Sequence, residues 1–145
     1  WKVIFLLAGS LSLGKAMESS GLSEQLAQAI LSMGQWVGTT SVIVACFYLA
    51  TSLLTEIISN NASVALMVPV AISVSSGMGI DEMPLLVAVA MAGSASFVTP
   101  IGYQTNTMVY SAGAYRFTDF TKAGIPLNIL FLLLASLFIP WFYPA

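Results

Sequence analysis

Two short polar segments interrupt an otherwise apolar sequence, and both consist of residue types that bind small ions. The first is Ser59–Asn61 (SNN) and the second is Thr99–Asn106 (TPIGYQTN). Ser, Thr, Asn and Gln side chains supply neutral oxygen atoms together with N–H or O–H donors. Such a mixture can hold a hard monovalent cation and an oxyanion without a fixed counter-charge. The residue types therefore indicate a candidate ion-binding site.

Either segment alone has a simpler interpretation. Ser-Asn-Asn before an apolar run is typical of a helix N-cap, and Thr-Pro-Ile-Gly is typical of a helix kink. The presence of both segments in a chain so poor in polar groups favours the binding site.

The composition indicates that these segments lie in a membrane. Hydrophobic residues make up 58% of the chain and charged residues 7%, whereas a soluble domain is about 25% charged. The charges cluster and leave four uncharged runs, at 25–55, 57–80, 83–115 and 123–145. A helix needs roughly 20 apolar residues to cross a bilayer, and each run provides that length. We therefore expect an all-α, polytopic integral membrane protein of the cell (inner or plasma) membrane, with the lipid bilayer as its solvent.

Several classes of function are disfavoured by the same composition. The net charge is −2 and no basic patch is present, which argues against a nucleic-acid partner. The chain has no His and one cysteine, Cys46, so a disulfide framework or a His/Cys metal site is not indicated. We expect neither an enzyme nor an organic cofactor. Because Trp1 opens directly onto an apolar stretch, we also expect a fragment of a longer chain.

The elements that must position the polar segments follow from the hydrophobic pattern. An apolar helix is predicted from Trp1 to about Ala16, and Ser23–Met33 has the pattern of a short amphipathic helix on the membrane surface. Residues 36–79 hold the SNN segment near their middle. They form either two spans joined by an aqueous loop or a re-entrant hairpin whose tip stops inside the bilayer. Pro69 and the absence of Lys and Arg around the tip favour the hairpin.

The second polar segment predicts a broken helix. Pro100 lacks a backbone donor and Gly102 loosens the chain, so the helix over about 83–113 should be interrupted within the membrane. A last span then runs from Ile125 and ends in an aromatic cluster at Trp141–Tyr143, as is typical of a membrane interface. Non-helical backbone at membrane depth occurs where protein or a water-filled cavity surrounds it, and transporters bind ions and substrates at such places.

A family resemblance rests on the order of these motifs. The pattern TE..SNN.S.ALM.P, followed by SASF.TPIGYQTN.MVY..G.YRF.DF...G.PLN, resembles the second half of the divalent anion–sodium symporters, which carry dicarboxylates, citrate and sulfate with sodium. The resemblance covers nearly all 145 residues. It implies the second inverted repeat of an elevator-type transporter, which would pair with a missing N-terminal half of the same chain and form a homodimer.

The resemblance also assigns each segment a place in that fold. Residues 1–34 would be the end of a scaffold helix followed by the amphipathic surface arm helix, and 35–145 would be half of the transport domain. Within this half it implies a re-entrant hairpin over 36–79, a discontinuous helix over 84–113 that breaks at Ile101–Asn106, and a last helix over 125–143.

The site residues implied by the resemblance fall into two sets. The sodium ligands would be Thr55, Ile58 (carbonyl), Asn60 and Gly102 (carbonyl). The small anionic substrate would be held by Ser59, Asn60, Asn61, Tyr103, Gln104 and Thr105. The family motif is Ser-Asn-Thr, so Asn61 replaces a threonine. Many members have proline and threonine where Tyr103 and Gln104 stand, so both departures concern the identity of the substrate.

The implied function is sodium-coupled symport of a divalent oxyanion, either sulfate or a di- or tricarboxylate, by alternating access with sodium as the coupling ion. The alternatives are a sodium-independent anion permease of the wider superfamily and a non-transporting membrane subunit. Glu56 is the only acid deep in a predicted span, and such a carboxylate is a functional candidate. We expect it to have a structural hydrogen-bonding role at the tip.

Overall fold

The structure, a computed structural model, describes residues 40–144 continuously and, before them, residues 1, 4–5, 8–9, 12, 15–16, 19–22, 25 and 28. Over 40–144 the regular structure is entirely helical, which confirms the all-α prediction for this part of the chain. We label the helices α1 (Thr40–Thr55), α2 (Asn60–Met78), α3 (Met83–Ala92), α4 (Gln104–Ala112) and α5 (Phe117–Phe142). Most of the predicted surface helix Ser23–Met33 lies outside the described residues.

Helices α1 and α2 form a helix–turn–helix pair around the SNN segment. The turn is short, from Glu56 to Ser59, and the two helices contact each other. Ser59 caps α2: its backbone is extended, and its hydroxyl accepts a hydrogen bond from the Ala62 amide at 3.3 Å. At the other end Gly79 adopts φ 67°, a left-handed conformation that glycine accommodates without strain.

The second interruption is longer than predicted and begins earlier. Non-helical backbone runs from Gly93 to Tyr103, whereas the expected break was Ile101–Asn106. Gln104–Asn106 instead form the first turn of α4. The early start has a packing reason, because a Cβ at Gly93 would overlap the Val64 side chain of α2. A glycine therefore lets α3 end against α2.

Helix α5 begins at Phe117 rather than at the predicted Ile125. Asp119 explains the difference, because its carboxylate accepts a hydrogen bond from the Arg116 amide at 2.8 Å and caps the first turn. The charged residues taken for a connector thus extend the helix. Among the described residues, α2 and α5 are the helices long and apolar enough to cross a membrane.

The core forms where α1 packs against α3 and α5 and where α2 packs against α3. Its largest fully buried apolar side chains are Val44, Phe47, Val70, Val74, Leu85 and Val89. Helix α5 contributes little to this core and leaves large side chains such as Leu133 and Leu137 more than 60% exposed. Such a surface suits lipid or further protein rather than water.

Candidate functional site

Three oxygen atoms meet where α1 ends, α2 begins and α3 ends. Thr55, the last residue of α1, is fully buried, and its hydroxyl oxygen lies 2.7 Å from Asn60 Oδ1 and 2.9 Å from the Gly93 carbonyl oxygen. A threonine hydroxyl has a single hydrogen, so it can donate to only one of the two acceptors at a time. The group is a compact cluster of neutral oxygens, which we call the oxygen cluster.

The second interruption passes directly over this cluster. A Cβ on Gly102 would overlap the Ser96 hydroxyl and would lie 2.9 Å from the Thr55 carbonyl oxygen and 3.2 Å from Glu56 Cα. Real Cβ atoms do not approach a backbone oxygen so closely, so the position requires glycine. The Gly102 amide donates to the Thr99 hydroxyl at 3.2 Å, which fixes the local turn.

The structure therefore brings three of the four predicted sodium ligands together. Thr55, Asn60 and Gly102 meet at the oxygen cluster. Ile58 lies in the same turn and is half-buried, but its amide donates to the Leu54 carbonyl at 2.9 Å, which belongs to α1 rather than to the cluster. Neutral hydroxyl, amide and carbonyl oxygens are the ligands that sodium takes in broken-helix transporters. The donor set fits that ion.

The predicted substrate residues lie at two helix N-termini. Ser59–Asn61 begin α2, and Tyr103–Thr105 begin α4. All of them are exposed except Asn60, which is half-buried between the oxygen cluster and the surface. The first amides of a helix have no partner within the helix and carry the positive end of its dipole. Both segments can thus present N–H groups to an anion.

Glu56 joins the two interruptions through its carboxylate. One oxygen, Oε1, accepts a hydrogen bond from the Val98 amide at 2.7 Å, and the other, Oε2, accepts one from the Thr99 amide at 2.8 Å. The Ser96 hydroxyl lies 3.4 Å from Oε2, and the Thr99 hydroxyl donates to the Glu56 carbonyl at 3.3 Å. The side chain is 7% exposed. The expected structural hydrogen-bonding role of Glu56 is confirmed.

Two residues of α4 that sequence reasoning did not single out satisfy the carbonyls of the interruption. The Asn106 amide group donates to the Ser96 carbonyl at 2.8 Å and to the Thr99 carbonyl at 3.3 Å. The Thr107 hydroxyl donates to the Pro100 carbonyl at 2.8 Å. The available signal was their position, because polar side chains in the first turn after a break can fold back onto the freed carbonyls.

Helix α5 holds the interruption from the opposite side. A Cβ on Gly124 would overlap the Phe97 backbone, so helix and interruption touch main chain to side chain position zero distance only because this residue is glycine. The Thr121 hydroxyl donates to the Val98 carbonyl at 3.3 Å. Deeper in the helix, the Ser52 hydroxyl donates to Asn128 Oδ1 at 3.1 Å and ties α1 to α5. The interruption is thus enclosed between the α1–α2 turn and α5.

Known transporters are similar to this chain along nearly its whole length. A family model described as citrate transporter matches residues 1–144. An uncharacterized transporter from Synechocystis sp. is 47% identical over 143 residues, which is 99% of this chain and 23% of that protein. Sodium/sulfate cotransporter 1 from Chlamydomonas reinhardtii is 35% identical over 136 residues, which is 94% of this chain and 15% of that protein.

A mammalian relative belongs to the same group. Solute carrier family 13 member 2 from Oryctolagus cuniculus is 31% identical over 137 residues, which is 94% of this chain and 23% of that protein. The chain therefore spans less than a quarter of the length of these relatives. All of them are transporters and none is an enzyme.

Proposed function

This chain belongs to the citrate transporter family, alongside the divalent anion–sodium symporters, and we propose that it forms part of a secondary transporter that couples sodium to the uptake of a divalent oxyanion. In this proposal the chain is the second inverted repeat of an elevator-type carrier. The remaining length of the protein supplies the partner repeat and the homodimer contact. Sodium and the anion are both cargo, and no covalent chemistry is involved.

One observation carries the proposal: the α1–α2 turn and the second interruption meet at the oxygen cluster. Thr55 and Asn60 contribute side-chain oxygens from the turn, and Gly102 brings the other backbone to within van der Waals contact of Thr55. Two non-helical segments that meet in an apolar protein are the arrangement in which transporters coordinate sodium. We assign sodium to Thr55, Ile58, Asn60 and Gly102.

Burial at the turn supports a re-entrant hairpin over two spans joined by an aqueous loop. Thr55 is fully buried and Glu56 is 7% exposed, although a loop in water would leave such polar groups solvated. The turn instead directs both residues into the second interruption. We propose that its tip ends inside the bilayer.

Substrate identity rests on the exposed residues at the two N-termini. We propose that Ser59, Asn60 and Asn61 bind one side of the anion and that Tyr103, Gln104 and Thr105 bind the other. Sulfate is the first candidate, because a relative 35% identical to this chain is named a sodium/sulfate cotransporter. Citrate is the second, because the matching family model is described as citrate transporter.

Uptake by the full-length protein in proteoliposomes tests the proposal. Radiolabelled sulfate should accumulate with an inward sodium gradient and not when choline replaces sodium, and unlabelled citrate in competition decides between the two substrates. Sodium-independent uptake would favour the anion permease, and no uptake of either anion would favour a non-transporting subunit.

Asn60→Ala tests the site itself. The change removes one oxygen of the cluster and one predicted anion contact, so we expect sodium-driven uptake to fall by about tenfold or more, the effect of losing about 1.4 kcal/mol of binding. Asn128→Ala is the matched control, since it removes the same amide group from a membrane helix outside the site. It should lower thermal stability without changing the sodium concentration for half-maximal uptake. Normal uptake by Asn60→Ala would rule out the assigned site.

A further inference from the structure

Glu56 is a buried carboxylate that neither the sodium set nor the substrate set uses. It is 7% exposed within an apolar protein. A buried carboxylate is costly unless hydrogen bonds stabilise it. Here the stabilising donors are the main-chain amides of Val98 and Thr99.

The two hydrogen bonds form a matched pair. Each carboxylate oxygen accepts from one of two consecutive amides, at 2.7 Å and 2.8 Å, distances typical of charge-assisted bonds. The Thr99 hydroxyl adds a bond to the Glu56 carbonyl at 3.3 Å. Residue 56 therefore holds residue 99 through its side chain and its main chain at once.

This clamp is connected to the oxygen cluster through a short series of contacts. Thr99 accepts a hydrogen bond from the Gly102 amide at 3.2 Å. Gly102 in turn lies against the carbonyl of Thr55, whose hydroxyl contacts Asn60. If the two amides were released from Glu56, Gly102 would no longer be fixed relative to Thr55 and Asn60.

We propose that Glu56 is a positioning residue for the sodium site: it clamps the Val98 and Thr99 amides and thereby sets the distance between Gly102 and the oxygen cluster. The inference rests on the proposed sodium-coupled function. It gives Glu56 no contact with sodium or the anion and no part in carrying a proton.

Glu56→Gln in the full-length protein tests the inference by transport. Glutamine keeps one acceptor oxygen but turns an N–H donor toward the second backbone amide, so half of the clamp is lost. We expect the sodium concentration for half-maximal uptake to rise about tenfold, as the loss of one charge-assisted bond would give. The sulfate KM at saturating sodium and the number of sodium ions per cycle should stay unchanged. Glu82→Gln, the same substitution at an exposed position, should behave as wild type.

Hydrogen exchange measured by mass spectrometry provides a readout that does not depend on transport. In detergent, Glu56→Gln should speed exchange in the peptide covering 93–103 by about tenfold and leave the α2 peptide covering 63–78 unchanged. Should wild-type uptake prove independent of sodium, the proposed function fails while the exchange result still decides whether Glu56 holds the interruption in place.

Thr99→Val provides a second variant that keeps the carboxylate and serves if Glu56→Gln does not fold. It removes the hydroxyl that links Glu56 to Gly102, and we expect a smaller rise in the same two quantities. Unchanged sodium dependence and unchanged exchange in a folded variant would overturn the inference. A changed number of coupled sodium ions would also overturn it, because Glu56 would then be a ligand.

Discussion

At the scale of single residues, the Thr55 hydroxyl is the centre of the oxygen cluster. It has one hydrogen and two neighbouring acceptors, Asn60 Oδ1 and the Gly93 carbonyl. At any moment one of these acceptors therefore has no hydrogen bond from Thr55. A bound cation would interact with these lone pairs directly, which gives the proposed sodium ion a defined electrostatic role.

Thr55→Val removes this hydroxyl with little change in shape. We expect the sodium concentration for half-maximal uptake to rise about tenfold or more, because two buried acceptors lose a partner at a cost of about 1–3 kcal/mol. Thr55→Ser is the matched control, since it keeps the hydroxyl and should retain sodium dependence near that of wild type. Equal sodium titrations for wild type and Thr55→Val would exclude Thr55 from the site.

At the scale of elements, the sequence predicts the two interruptions but not the extent of the second. Polar residues are so rare in this chain that SNN and TPIGYQTN stand out without any structure. The early start at Gly93 could not be predicted locally, because it depends on a contact with Val64 and on hydrogen bonds from residues 98 and 99 to Glu56, 42 and 43 positions away. Patterns within one helix carry no information about such distant pairs.

The N-terminus of α5 illustrates a different limit. The charged stretch before Ile125 has the composition of a connector, and Pro126 suggests a helix start. In the structure, Asp119 caps a helix that begins at Phe117 and continues through Pro126. The capping signal was local and visible in the sequence, but composition outweighed it in the prediction.

Gly102→Ala tests the close approach between the two interruptions. The added Cβ would overlap Ser96 and press on the Thr55 carbonyl, and overpacking of this kind costs about 1–3 kcal/mol. We therefore expect a lower melting temperature and reduced sodium-driven uptake. Gly9→Ala is the control, because among the described residues no atom lies within 4 Å of its added Cβ. If Gly102→Ala melts and transports like Gly9→Ala, the two backbones do not touch as described.

At the scale of the whole molecule, the described part is one face of a larger site. Ser59, Asn61 and Tyr103–Thr105 are exposed, and the chain spans less than a quarter of the length of the relatives compared here. In the proposed assembly the partner repeat closes this face and completes the anion site between the two halves.

Thiol labelling tests that arrangement in the intact transporter. In a full-length background with Cys46→Ala and no other cysteine, Tyr103→Cys should react with a membrane-impermeant maleimide. Sulfate together with sodium should slow the reaction severalfold, and sulfate without sodium should slow it less. Tyr143→Cys, at the far end of α5, should react at a rate that neither ion changes. Labelling of Tyr103→Cys that ignores both ions would place this residue outside the anion site.

The different burial of the two residue sets has a consequence for how such carriers diversify. Thr55 and its contacts lie inside the described part, and almost any substitution there disturbs three helices at once. Asn61, Tyr103 and Gln104 lie at its surface, where a new side chain displaces no neighbour in the core. Under the proposed assignment, a lineage can exchange its cargo through surface substitutions while it inherits its driving ion unaltered.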